Sequence, residues 1–490
     1  MRKSQIVETP RGPVEIPTGL LIGGEWVDAE NRKQFEVFNP STGLAFVSIA
    51  DASPKDAVRA LDAADSAQES WGKTSSRHRS TILRRIADGL REHASSLSWI
   101  ISAELGKPVR EAEGEVEGSA QIFDFLADQV TQQRGSYSTP PNGGFRIITT
   151  HEPIGPSYLV TPWNFPLLMS ARKVGAALAA GCSVILKPAA QTPTTSQLFG
   201  HIMMEAGVPE GVANVIPTSS ASEQSSKLMA DPRLRKVSFT GSTQVGSHLL
   251  KLAAPNVIAT SMELGGNGPF IVLEGADIKK AAEDAVIAKY RNAGQVCVAA
   301  NRIIVEKSIE EEFTARFVAA VNELKVGPAH DPSVDIGPLA SESQVCDVRE
   351  LVEQAVAEGA ELISEVTVSE DSGYFYPPQV LAGASREFRI ASEEIFGPVA
   401  VVYSAENAED AIQFANATEY GLVGYIYSED VGMALKCAEE LKTGIVAINR
   451  PVVAEPSAPF GGIKASGLGK EGGEGGIREF QNEKYIALAL

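Results

Sequence analysis

The stretch Asn292-Ala-Gly-Gln-Val-Cys297 ends on a single cysteine behind a glycine-containing approach, and Glu263-Leu-Gly-Gly266 lies upstream of it. A cysteine attacks a carbonyl as its thiolate, so it needs a base to take the proton from the thiol or from a later water. Glu263 is a group of that kind. A free cysteine is more often an inert apolar side chain, and a carboxylate beside glycines is more often solvated, so the pair alone decides nothing. Thr161-Pro-Trp-Asn-Phe-Pro166 adds Asn164. Its side-chain N–H either donates to a developing oxyanion or serves a turn beside the prolines. Phe239-Thr-Gly-Ser-Thr243 follows a candidate strand and opens a candidate helix. Free N–H groups there suit a phosphate, and a plain strand-to-helix turn is the alternative. Arg172 comes eight residues after Asn164, and Arg291 six before Cys297. Each alone is most often a surface ion-pair partner, but two guanidinium groups converging on one pocket would bind a carboxylate by charge-assisted hydrogen bonds.

These residues must be held by a regular frame. From Tyr158 the runs Ser183–Lys187, Ala213–Pro217 and Lys236–Thr240 alternate with helical stretches at Thr195–Ala206 and Ser222–Ala230. That alternation predicts a parallel sheet with helices on its faces, the natural frame of a nucleotide-binding α/β domain. After Gly266 it restarts with Phe270–Leu273, a helix over Ile278–Arg291, the strand Arg302–Val305 and a helix over Ile309–Leu324. Val399–Tyr403 and Gly444–Ile448 continue it as a second α/β domain. Pro54–Leu105 has apolar residues at helical spacing, and helices continue through Val130. Residues 1 to about 20, with Pro10, Pro13 and Pro17, read as an extended arm, not a packed element. Pro140-Pro-Asn-Gly-Gly144 between two candidate strands reads as a hairpin whose free edge needs a partner. Gly461–Gly476 reads as loop and Tyr485–Leu490 as a terminal strand.

A chain of 490 residues with 43% hydrophobic and 21% charged residues is a soluble globular protein of two or three domains. Its net charge of −19 argues against nucleic-acid and anionic-membrane partners. No stretch is long and apolar enough for a secretory signal or a membrane span, so a cytoplasmic protein is expected. Cys182, Cys297, Cys346 and Cys437 form neither a disulfide framework nor a metal cluster, and all but Cys297 are expected to be structural thiols.

Together with Glu394-Ile-Phe-Gly-Pro398, Ile22-Gly-Gly-Glu-Trp26 and Pro459-Phe-Gly-Gly-Ile-Lys464, these motifs resemble the aldehyde dehydrogenase superfamily. Order and spacing match across nearly the whole chain. The resemblance implies a Rossmann-type cofactor domain over residues 1–134 and 155–262, a second α/β catalytic domain over 263–476, and a β oligomerisation arm over 135–154 and 477–490. It implies Cys297 as nucleophile, Glu263 as base and Asn164 as oxyanion donor. Collapse of a thiohemiacetal on Cys297 expels a hydride that no amino acid accepts, so a nicotinamide cofactor is implied. Glu263 favours hydrolysis of the resulting thioester, because relatives that pass the acyl group to coenzyme A generally lack this glutamate. By the same resemblance Gly241 and Ser242 flank the cofactor phosphates, and Pro162, Trp163, Leu264 and Phe396 line its channel. Glu394 takes hydrogen bonds from the nicotinamide ribose, and Lys187 with Ala189 and Ala190 lies by the adenosine. Alanine at 190, where NAD-preferring relatives often have glutamate, removes repulsion of a 2′-phosphate, so NADP is the expected cofactor with NAD possible. Thr218–Ser222 departs from the glycines usual there.

Within the superfamily, Met169-Ser-Ala-Arg-Lys173, Lys289-Tyr-Arg-Asn-Ala293 and Ala458–Gly467 are most similar to succinate-semialdehyde dehydrogenases, with Arg172 and Arg291 as the substrate clamp. Ala454 and Glu455 stand where that group has a carboxylate-facing serine, and an inward Glu455 would repel a carboxylate. Ala299 replaces a second cysteine, so no local disulfide is expected. The partners implied are a small aldehyde and further copies of the chain, as a homodimer or homotetramer. An enzyme for aromatic or aliphatic aldehydes, and a non-catalytic binding protein on the same scaffold, remain alternatives.

Overall fold

The computed structural model describes residues 4–9, 12–368 and 372–489. Two large sheets organise it. The first has eight strands in the order Gly467–Leu468, Ala259–Glu263, Lys236–Thr240, Ser157–Val160, Val184–Lys187, Ala213–Val215, Leu20–Ile22 and Glu25–Val27. The five in the middle of that order run parallel, and antiparallel strands close both edges. The second has seven, Glu361–Leu362, Gln379–Ala382, Val399–Ala405, Ala300–Glu306, Gly268–Val272, Val423–Tyr427 and Ile445–Ile448, all parallel but the first. Strands such as Ser157–Val160 and Ala300–Glu306 are buried along their whole length, as parallel strands covered on both faces must be. One apolar cluster surrounds the second sheet, and two clusters cover the faces of the first. The chain passes from one sheet to the other in the short stretch between Glu263 and Gly268, so the Glu263-Leu-Gly-Gly266 motif joins them.

A third, three-stranded antiparallel sheet pairs Gln481–Ala489 with Phe145–Pro153 over nine residue pairs and adds Ser136–Ser138. The terminal strand is therefore longer than its last apolar residues suggest; Leu490 lies outside the described residues.

Two expectations are corrected. Instead of an extended arm, Ser4–Thr9 and Gly12–Pro17 form an antiparallel hairpin that buries Val7, Val14 and Ile16 against the helices beside the first sheet. Pro13 and Pro17 sit on a strand that pairs on one side only, where a missing N–H is tolerated. Pro10 is outside the described residues. Gly461–Gly476 is not wholly loop, since Gly467–Leu468 pairs with Met262 and Glu263, and a short helix begins at Gly475.

Two helices that frame the site start without side-chain caps of their own: Pro166–Ala180 and Pro193–Glu205. Each start is capped instead by a buried glutamate from elsewhere. Glu115 accepts from the amides of Leu167 (3.0 Å) and Leu168 (3.1 Å), and Glu104 from those of Thr194 (2.8 Å) and Thr195 (3.0 Å). A carboxylate at a helix N-terminus meets both the orphan N–H groups and the positive end of the dipole. Burial nevertheless pushes the Glu104 carboxyl up to about 7.

Candidate active site

Cys297 follows a turn of unusual backbone. Asn292, Ala293 and Gly294 have φ of 53°, 54° and 71°, three successive left-handed residues. Only Gly294 is a residue that adopts this freely, and a Cβ on it would lie 2.1 Å from the carbonyl oxygen of Gly397. Hydrogen bonds hold the strained pair, from Asn292 N to the Glu111 carboxylate (2.9 Å) and from Asn292 Nδ2 to the carbonyls of Asn164 (3.1 Å) and Gln295 (3.2 Å). Asn164 is tied to the same turn, with Nδ2 donating to Gln295 O at 2.9 Å. One of its two amide hydrogens is thus committed and the other is free, so the group is aimed, not saturated.

Half-buried Cys297 lines the first of two neighbouring cavities. The first, about 270 Å³, is lined by Pro162, Trp163, Asn164, Gly241, Ser242, Leu264, Glu394, Phe396 and Cys297, which brings together nine of the residues singled out from sequence. Trp163 and Phe396 meet edge to face at 5.3 Å. Glu394 accepts from Gly266 N at 3.0 Å, and its other oxygen has no partner among the described residues; burial first of all pushes its carboxyl up to about 7. Phe165, Met169, Thr240 and Gln344 also line this cavity, and none was singled out for it from sequence. Behind Glu394, buried Lys289 bonds Asn301 Oδ1 (2.7 Å) and the Ile395 carbonyl (3.1 Å), tying the Glu394 segment to the strand that follows Cys297.

A dinucleotide fits this side of the molecule. The helix Thr243–Ala253 starts at the cavity, with Ser242 capping it through Val245 N and its other first-turn amides uncommitted. A Cβ at Gly246 would meet Leu264 at 2.4 Å, so this glycine lets the helix start lie against that side chain. Lys187, Ala189 and Ala190 are not in the cavity lining; Lys187 ends the strand Val184–Lys187 and the two alanines follow it. Lys187 is no surface lysine. It is 6% exposed, burial pulls its ammonium down to about 8, and it has no partner among the described residues. A buried, unpaired ammonium calls for a ligand with oxygen acceptors. Thr218 and Ser219, where the chain departs from the usual glycines, bond the Asp51 carboxylate at 3.0 and 2.6 Å.

The second cavity, about 320 Å³, is lined by Arg172, Arg291, Glu111, Glu115, Glu455 and Phe165 among others, and Phe165 is its wall with the first. Arg172 is 5% exposed, and its Nε and Nη1 are buried without a hydrogen-bond partner. Its guanidinium lies 4.5 Å from the Phe460 ring centre, and Arg291 lies 5.8 Å from that of Phe165. The two cations named from sequence thus converge, together with Glu455 from the divergent Arg450–Ala458 segment. Glu455 accepts from Ser457 N (3.1 Å) and Oγ (2.8 Å), which lowers its pKa and keeps it ionised.

Glu263, a candidate for solvation from sequence alone, is 3% exposed, and both its oxygens lack partners. A Cβ at Gly461 would lie 2.6 Å from Glu263 Oε1. Burial raises its pKa well above the usual range, Glu471 adds to the rise, and Lys173, Lys470 and Arg172 oppose it. Glu471 is itself anchored by Lys173 Nζ at 2.5 Å. Lys173 and Glu471 were missed from sequence, although two successive cations inside the apolar Pro166–Ala180 helix, buried along its length except at Leu168, were a signal. The Cys297 thiol is pushed up to about 12, by burial first and then by Glu394 and Glu263, against the pull of Arg172 and Arg291. It is therefore neutral near pH 7 and needs a base, and the raised pKa of the nearby Glu263 carboxyl suits such a task. Of the other three thiols Cys182 and Cys437 are buried, but Cys346 is exposed on a helix face, against expectation.

Known proteins share this architecture. Residues 26–486 match the aldehyde dehydrogenase family model. The chain is 47% identical over 442 residues to a succinate-semialdehyde dehydrogenase of Paenarthrobacter nicotinovorans, covering 90% of this chain and 98% of that one. It is 39% identical to an NADP(+) succinate-semialdehyde dehydrogenase of Escherichia coli, covering 96% and 97%. A crystal structure of succinate-semialdehyde dehydrogenase from Burkholderia pseudomallei superposes with a TM-score of 0.95 at 38% identity, over 97% of this chain and 98% of that one. Among the described residues no helix is long and apolar enough to cross a membrane. The chain belongs to the aldehyde dehydrogenase family and is, as a member, an enzyme that oxidises aldehydes with NAD(P).

Proposed function

We propose that the protein oxidises succinate semialdehyde, or a closely similar short aldehyde acid, to the dicarboxylic acid, with NADP preferred over NAD. The observation that carries the substrate is Arg172, a buried guanidinium whose Nε and Nη1 have no protein partner, in a cavity it shares with Arg291. Leaving charged donors unpaired in the interior is costly, and a carboxylate from the substrate supplies what they lack. The names of the relatives from P. nicotinovorans and E. coli support the same substrate, and the NADP(+) in the second name supports the cofactor. Ala190 and the unpaired Lys187 ammonium support it too, since neither repels a phosphate.

In this reading Glu263 takes the proton of Cys297, and the thiolate adds to the aldehyde carbon. The oxyanion that forms accepts hydrogen bonds from the free N–H of Asn164 and the main-chain N–H of Cys297. One such donor typically lowers the barrier by ~3 kcal/mol. The bound nicotinamide supplies the hydride acceptor. Glu263 then passes that proton to bulk water and, as a carboxylate again, activates the water that hydrolyses the thioester, with Cys297 leaving as the thiolate. Glu394 holds the nicotinamide ribose, Gly241 and Ser242 the phosphates, and Lys187, Ala189 and Ala190 the adenosine end, with Pro162, Trp163, Leu264 and Phe396 as channel walls. The first sheet and its helices form the cofactor domain, and the second the catalytic one.

Self-association through the three-stranded sheet, as a homodimer or homotetramer in the cytoplasm, belongs to the same proposal. It is supported by the outer edge strand Gln481–Ala489, on which Tyr485, Ile486 and Leu488 are exposed. The test of the substrate is the initial rate of NADPH formation with succinate semialdehyde against butyraldehyde, its uncharged four-carbon analogue. A large preference for the acid is expected, and equal rates would end the clamp reading while leaving the cysteine chemistry intact.

A further inference from the structure

Lys107 is completely enclosed, and nothing in the chemistry above uses it. Its side chain is 1% exposed, like that of its ion-pair partner Glu115. Its ammonium also donates to the main-chain carbonyl of Asn164 at 3.2 Å and stands 3.8 Å from the centre of the Phe165 ring. Glu115 in turn accepts from the amides of Leu167 and Leu168, the uncapped start of the next helix. One buried ion pair thus grips the Asn164–Leu168 stretch on both sides of Pro166. It does so from the turn and helix at Lys107–Glu115, which lie outside both sheets.

We infer that Lys107, itself held by Glu115, is a positioning residue for Asn164. A buried ion pair is a poor source of stability, since apolar groups of the same volume often serve as well. What it supplies here is direction. Asn164 is held at both ends, at its carbonyl by Lys107 together with Asn292 Nδ2 at 3.1 Å, and at its own Nδ2 by Gln295 O at 2.9 Å. With both in place, the remaining amide hydrogen has one direction, and an oxyanion donor displaced by about 1 Å loses most of its value. The charged groups around the ammonium are consistent with a fixed site, since Glu115 and Glu111 oppose the burial that lowers its pKa, and Arg291 adds to it. Glu111 holds the other side of the same site, through Asn292 N.

The inference rests on Asn164 being the oxyanion donor, and a double-mutant cycle separates the two claims. Lys107→Met and Asn164→Ala are made singly and together, with Lys107→Arg as the conservative variant and thermal melts as a check on folding. Lys107→Met is expected to lower kcat roughly 30-fold to 300-fold with KM for NADP unchanged, Lys107→Arg to recover part of it, and the double variant to be no more than about 3-fold worse than Asn164→Ala alone. Losses that multiply in the double variant, or full kcat in Lys107→Met while Asn164→Ala is impaired, would overturn the role of Lys107. Full kcat in Asn164→Ala would instead overturn the donor reading and the inference with it. Where Lys107→Met does not fold, Glu115→Gln, which keeps an oxygen for the Leu167 and Leu168 amides, runs the same cycle under the same criteria.

Discussion

The two cavities on either side of Phe165 are built by opposite means. On the cofactor side the walls are aromatic, aliphatic and neutral polar residues with glycines, and Glu394 is the one charged residue of the lining among the described residues. On the other side Arg172, Arg291, Glu111, Glu115 and Glu455 share a space of similar size. A neutral wall fixes shape and is indifferent to what the other end of the substrate carries. A wall of charges is specific and sensitive to each member. The expectation that follows is a split: changes on the first side should move cofactor binding for every aldehyde, and changes on the second should move only aldehydes with an acidic tail.

Cys297 lines the first cavity and feels the two arginines of the second. Cys297→Ala should lower aldehyde-dependent NADPH formation by at least ~10³-fold for acid and neutral aldehydes alike, while NADP still binds by fluorescence titration. Activity surviving in that variant would remove the chemistry from this site. Arg172→Met tests the acid side. It should lower kcat/KM for succinate semialdehyde by about 10²-fold, in line with losing a buried charged hydrogen-bond donor, and leave butyraldehyde within about 2-fold. An equal fall for both aldehydes would mean that Arg172 supports the fold and does not read the substrate.

Gly265→Ala is the matching change on the cofactor side. The added Cβ would lie 2.7 Å from the Glu394 oxygen, so the carboxylate must shift. KM for NADP should rise by about 10-fold, with the ratio of acid to neutral aldehyde rates unchanged. Glu263 gives the comparison a pH axis. Its pKa is raised well above the usual range and the thiol stands at about 12, so kcat/KM for both aldehydes should rise with pH as Glu263 loses its proton. The same shift has a stability consequence. A carboxyl whose folded pKa is raised is tolerated fully below its unfolded value near ~4.3 and destabilises increasingly as pH rises through the folded value. Glu263→Gln should therefore melt with the wild type in acid and above it at pH 9, although it is inactive. Identical melting curves at both pH values would mean that the carboxylate finds a partner in solution.

The legibility of the two sides in the sequence follows from how they are built. Asn164, Gly241, Ser242, Glu263, Glu394 and Cys297 sit in short turns between strands and helices, and a turn's requirements are local, so its residues stand together in sequence. The alternation of strand and helix was readable for the same reason, because hydrophobic period is a local property. What holds the turns was not readable. Glu115 reaches the helix start at Leu167 from 52 residues away, and Lys173 meets Glu471 across 298. In sequence Glu115 is indistinguishable from the charges of a solvated helix face, and the apolar run around Lys173 marks it as buried without naming its partner, so only the packing gives them a role. The N-terminal hairpin was misread for a related reason, since prolines that mark an arm also suit a strand paired on one side only.

Glu455 is where the comparison is sharpest and the expected effect smallest. It lines the acid-side cavity, stays ionised through its bonds to Ser457, and stands in the segment where the chain departs from its relatives' pattern. It is an exposed group, so water screens its field, and its effect on a bound carboxylate amounts to a few tenths to about 1 kcal/mol, or a 2-fold to 5-fold change in KM. Glu455→Gln should thus lower KM for succinate semialdehyde by that factor without changing kcat. The gain should shrink as salt is raised from 0.05 to 0.5 M, and butyraldehyde should not respond at all. A KM that rises instead would mean that Glu455 holds the substrate rather than repelling its carboxylate, through a donor group that succinate semialdehyde has only as its hydrated aldehyde. In that case the acid-side wall would read both ends of the molecule.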